Sequence, residues 1–82
     1  MENINGKLSA VDYIMSEIER RYKNNIESYE AEQKSYEEYC SEKETEQWRI
    51  QNFIDNMSEY KNKAEVYENL YQLIKKNLDK II

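Results

Sequence analysis

The chain has 82 residues, 10.0 kDa, 17 acidic and 12 basic side chains, a formal charge of −5 and a pI near 4.8, which is enough for one small domain. With no histidine, one cysteine and one glycine, it excludes a Cys–His or Ser–His nucleophile pair, a clustered Cys/His zinc site, an internal disulfide and a glycine-rich phosphate loop. No apolar run approaches the roughly 18 to 20 residues of a membrane span, and the opening MENINGKLS has neither the basic start nor the apolar block of a signal peptide. The expectation is a cytoplasmic, non-catalytic protein with no cofactor and no metal.

Residues 1–8 are polar and hold the sole glycine, Gly6; they read as a flexible arm. Ser9 reads as a helix cap, with Asp12 completing an S-x-x-D box and Leu8 able to staple against Tyr13. From Ser9 to Ile82 neither proline nor glycine interrupts a sequence rich in helix formers. The apolar residues follow a heptad. Position a takes Met15, Tyr22, Tyr29, Tyr36, Lys43, Ile50, Met57, Ala64, Tyr71 and Leu78. Position d takes Val11, Ile18, Asn25, Glu32, Tyr39, Glu46, Phe53, Tyr60, Tyr67, Ile74 and Ile81. Only Asn25, Glu32, Lys43 and Glu46 break this seam. Lys43 and Glu46 fall together in the most polar stretch, Ser41–Gln47, where Ser41 and Glu44 form a second capping box.

The pattern predicts an all-α protein: a long antiparallel, coiled-coil-like hairpin with one helix over 9–41, a turn over 42–47 and a second helix over 48–81. A single long coiled-coil helix is the alternative. In the hairpin, a faces d and opposed residue numbers sum to 89, which pairs Ile18 with Tyr71, Tyr22 with Tyr67, Asn25 with Ala64 and Tyr36 with Phe53. Apolar residues also lie off the seam. Val66, Leu70 and Leu73 form a second stripe at i, i+4, i+7, with Ile14 and Ile54 as further candidates. These five are the expected dimerisation residues, and the expected assembly is a homodimeric four-helix bundle.

Residues 27–46 hold eight glutamates and two lysines, net −6, whereas residues 61–80 are net +2. In a hairpin the turn end is acidic. Trp48 sits at position f just past the turn, opposite the seam, where it either packs back over the turn or stands exposed as an anchor of the kind Trp supplies at interfaces. Trp48, Glu37, Glu38, Glu42, Glu44 and Glu46 are therefore the candidate partner-binding residues, and the partner is a protein with a basic surface rather than a nucleic acid or a membrane. Cys40, at position e, reads as a half-buried small hydrophobe. The abundance of Lys, Asn, Ile and Tyr is the usage of AT-rich genomes. With the small size and acidity, it points to an inhibitor or adaptor from a phage or mobile element. In size and charge the chain resembles small phage inhibitors of host nucleases, anti-CRISPR proteins among them. That resemblance implies an acidic nucleic-acid mimic as one alternative function, and a purely structural spacer or scaffold is another.

Overall fold

The computed structural model describes the backbone of residues 2–42 and 45–81, and side chains from Ser9 to Lys80 within that range. Helix α1 spans Glu2–Cys40, α2 spans Gln47–Lys76 and a last turn, α3, spans Leu78–Ile81. The two long helices fold back on each other as a hairpin measuring 66 × 15 × 14 Å, so the single straight rod is excluded. Helix is favoured throughout because nothing between Glu2 and Cys40 removes a backbone donor, and the seam gives each helix one apolar stripe to bury.

Several boundaries depart from the sequence reading. Helix α1 begins at Glu2 rather than Ser9, so the helix includes residues 2–8 and Ser9 is an interior residue, not a cap. One glycine costs a helix interior only about 1 kcal/mol, and without proline the helix runs through Gly6. The Ser41 box likewise starts no helix. Ser41 instead closes α1: its N–H donates to the carbonyls of Glu37 and Glu38 (3.2 and 3.3 Å), and its Oγ donates to the Glu38 carbonyl at 2.7 Å. Residue Glu46 is the cap of α2, extended at φ −99° and ψ 130°, with no side-chain capping bond. Near the other end α2 stops at Asn77, whose Nδ2 donates to the Leu73 carbonyl at 2.9 Å and thereby competes with the helical pattern. Lys43 and Glu44 lie outside the described residues.

The register is the one the heptad dictates. Tyr36 meets Phe53 edge-on at 5.8 Å between ring centroids. Ile18 and Tyr22 of α1 line a common cleft with Tyr67 and Tyr71 of α2. The buried residues are Val11, Ile18, Tyr39 and Ala64, all seam positions. Two polar seam residues find hydrogen-bond partners. Asn25 donates to the Arg21 carbonyl one turn back (2.8 Å), and the register sets it opposite Ala64. Glu32 accepts from the Asn56 side chain across the hairpin at 3.1 Å. With only four residues buried among those described, the core is thin, as expected where two helices share one seam.

Candidate functional site

Around the turn, α1 and α2 bring an acidic rim and an aromatic cluster together. Glu37, Glu38, Glu42 and Glu46 are all exposed, and none forms an ion pair among the described residues. Glu44 lies outside them. Trp48 is 60 % exposed on the first turn of α2. It does not fold back over the turn but stacks with its neighbour, the Arg49 guanidinium lying 5.6 Å from the indole and 5.4 Å from the Tyr39 ring. Such cation–π contacts hold an arginine in place without a carboxylate. Tyr39 in turn packs on Phe53 at 5.6 Å, and its hydroxyl accepts the backbone N–H of Glu46. Together Glu32, Tyr39, Trp48, Arg49, Phe53 and Asn56 line an open cleft of about 450 Å³.

Arg49 and Tyr39 are the residues that pattern reading missed. The dipeptide Trp48–Arg49 was the available signal, but the stack needs residues 39 and 49 to meet, which only the folded hairpin arranges. Two residues of the acidic rim are placed against the backbone's own field. Carbonyls at a helix C-terminus carry partial negative charge and favour cations; the last turn of α1 has no basic residue and holds Glu37 and Glu38 instead. The last turn of α2, by contrast, carries Lys75 and Lys76. Cys40, expected to be half-buried, is exposed and free, because α1 ends there and its flanking position is left uncovered. The Cys40 thiol, one turn on from Tyr36, pushes the Tyr36 hydroxyl above its ordinary pKa through a hydrogen bond.

At the open end the off-seam residues divide between two flanks. Ile14 and Leu70 share a shallow groove of about 240 Å³ with Tyr13, Ile18, Arg21 and Tyr67, and the heptad places Val66 and Leu73 on that flank of α2. The four are exposed, Val66 most at 62 %. Ile54, also exposed, falls on the opposite flank and nearer the turn, so it does not join them. That opposite flank is charged, with Glu19, Lys23, Glu68 and Gln72 edging its cleft. Surface ion pairs are local: Glu17–Arg20, Glu19–Lys23 and Glu59–Lys63. The hydrogen bond from Arg20 holds the Glu17 carboxyl below its ordinary range, and the bond to Glu59 holds Lys63 above its own.

Among the described residues no three Asp, Glu or Cys side chains converge as a metal site, and no helix is long and apolar enough to cross a membrane. No protein-family model matches the chain, and no match was found among curated proteins or solved structures.

Proposed function

We propose that this protein is a non-catalytic interaction module, a small acidic inhibitor or adaptor that binds a protein target through the turn end of the hairpin and pairs with itself through the open end. The observation that carries the reading is the exposed acidic rim, Glu37, Glu38, Glu42 and Glu46, without ion pairs among the described residues and beside the exposed Trp48, with Glu37 and Glu38 in the last turn of α1 where they oppose the dipole. Local rules broken without a structural return concentrate at functional surfaces, and Trp, Tyr and Arg are the side chains enriched at interface hot spots. The carboxylates supply attraction and orientation toward a basic target surface, and the Trp48–Arg49–Tyr39 stack supplies the desolvated anchor.

Self-pairing follows from the thin core. Four exposed aliphatic side chains on one flank of a two-helix unit are surface that a second hairpin would remove from water, giving a four-helix bundle. The source reading, a phage or mobile element and a cytoplasmic setting, belongs to the same proposal and rests on residue usage alone. The alternative form of target is a nucleic-acid-binding groove, toward which the exposed glutamates 27, 30, 37 and 38, spread along one half of α1, would act as a phosphate mimic.

Affinity capture from a lysate of the source cell, at low and at moderate salt, tests the target reading. A specific protein should be retained at about 50 mM salt and released several-fold more readily at about 300 mM. It should be lost when Glu37, Glu38 and Glu42 are all changed to Lys. Equal retention by that variant at low salt defeats the reading, and competition by duplex DNA for the captured protein separates a mimic from an ordinary adaptor.

A further inference from the structure

We propose that the flank bearing Ile14, Val66, Leu70 and Leu73 seats a second copy of this chain antiparallel to the first, about a two-fold axis crossing α2 at Leu70 and α1 at Glu19, so that the two acidic turns point in opposite directions. The pairing rests on the self-association read above and adds its direction, register and contacts.

Four observations fix the arrangement. Apolar exposure on this flank is confined to the open half of the hairpin, so two copies cover it only by overlapping there. Along α2 the stripe is nearly palindromic about Leu70, with Val66 four residues before it and Leu73 three after. In an antiparallel pair Leu70 therefore meets Leu70 of the partner subunit, and Val66 meets the partner's Leu73, twice over. On α1 the same flank carries Glu17 and Arg21, two residues either side of the level of Glu19, which itself edges the opposite flank and which the hairpin register sets level with Leu70. One axis thus also places Glu17 against the partner's Arg21, and Arg21 against the partner's Glu17. Arg21 is exposed and makes no ion pair among the described residues, so it is available for this contact.

Charge sets the direction independently. Residues 27–62 are net −6 and the remainder of the chain is net +1. A parallel pair would lay two strongly acidic halves side by side, whereas the antiparallel pair sets each against a nearly neutral one. About that axis α1 overlaps its counterpart over about 50 Å and the C-terminal helices over about 33 Å, at 1.5 Å per residue from the axis to Glu2 and to Ile81. Across a hairpin 15 Å wide, the mean of the two covers roughly 600 Å² per copy, the lower end of the range of a standard stable interface. Each dimer then presents one acidic, Trp48-bearing tip at either end.

Sedimentation of the full chain at 10–100 µM, combined with electron-spin distance measurement from a nitroxide on the native Cys40, tests the arrangement. Wild type should be dimeric, and Leu70→Glu should be monomeric while keeping its helical circular dichroism. Glu17→Arg and Arg21→Glu should each weaken the dimer about fivefold or more, and the double exchange should restore it to within about twofold. The labels should lie about 60 Å apart, given 21 residues from Cys40 to the axis in each copy; a parallel pair would bring them within roughly 25 Å. A monomeric wild type overturns both this arrangement and self-pairing, and leaves the flank to another protein. A dimer with close labels, a dimeric Leu70→Glu or a double exchange no better than its single variants overturns the direction and register alone.

Discussion

Tyr39 shows how one seam residue ties the fold to the turn. It is 7 % exposed; its ring touches Phe53 on one side and carries Arg49 on the other, and its hydroxyl takes the N–H of Glu46. Because Glu46 caps α2 without a side-chain bond, the phenol takes up the cap residue's own N–H, as the third-position Glu or Gln of a capping box does elsewhere. Tyr39→Phe keeps the ring and removes the acceptor, so urea denaturation should show a loss of about 0.5–1.5 kcal/mol. Tyr39→Ala also leaves a cavity and releases Arg49, and should cost about 3–5 kcal/mol. Glu17 offers a cleaner reading of charge. Its folded pKa is depressed, chiefly by the Arg20 hydrogen bond. The stability linked to it is therefore present above the ordinary carboxylate range and disappears as pH falls through the lowered value. An NMR titration of the Glu17 side chain should place its midpoint below that of an ordinary glutamate, and Arg20→Gln should return it upward.

At the scale of the element, α1 is stabilised along its seam and destabilised at its end. Glu37 and Glu38 sit in the last turn, where backbone carbonyls already concentrate negative charge. Glu37→Gln with Glu38→Gln should therefore raise the midpoint of thermal unfolding, by about 0.3–1 kcal/mol of stability per site. The same double substitution should weaken target binding. A gain in stability with unchanged binding would show that the two glutamates are only a solvated face. The seam was legible in the sequence because a sevenfold repeat accumulates over many turns, from Val11 to Leu78, and no single exception erases it. Caps were not. Ser9 and Ser41 carry the right side chains, yet each cap is one local choice, and uninterrupted helix-forming sequence outweighed it at Ser9, while at Ser41 the hydroxyl found the Glu38 carbonyl instead. The acidic cluster and Trp48 were legible as composition. The Arg49 stack was not, because it depends on two helices meeting at residues that are not themselves opposed in the seam.

Taken as a whole, the molecule separates charge along its length, and salt should therefore push its properties in two directions. Apart from Glu59, the glutamates of the acidic half have no ion-pair partners among the described residues, so at low ionic strength they repel one another and oppose the compact hairpin. Screening shortens the reach of that repulsion from roughly 30 Å at 0.01 M to about 8 Å at 0.15 M. Raising salt from about 10 to 300 mM should thus raise the thermal midpoint of the isolated protein. Over the same interval the attraction between the acidic rim and a basic target is screened as well, and the association rate should fall by about an order of magnitude or more. Thermal melts followed by circular dichroism and stopped-flow association, run on the same salt series, measure the two slopes. Opposite slopes mean that the charge is kept for the partner at the expense of the fold. If salt left the midpoint unchanged while binding weakened, the glutamates would be too well solvated to strain the hairpin. If both quantities rose together, the partner would be held by the Trp48 cluster, with the carboxylates as bystanders.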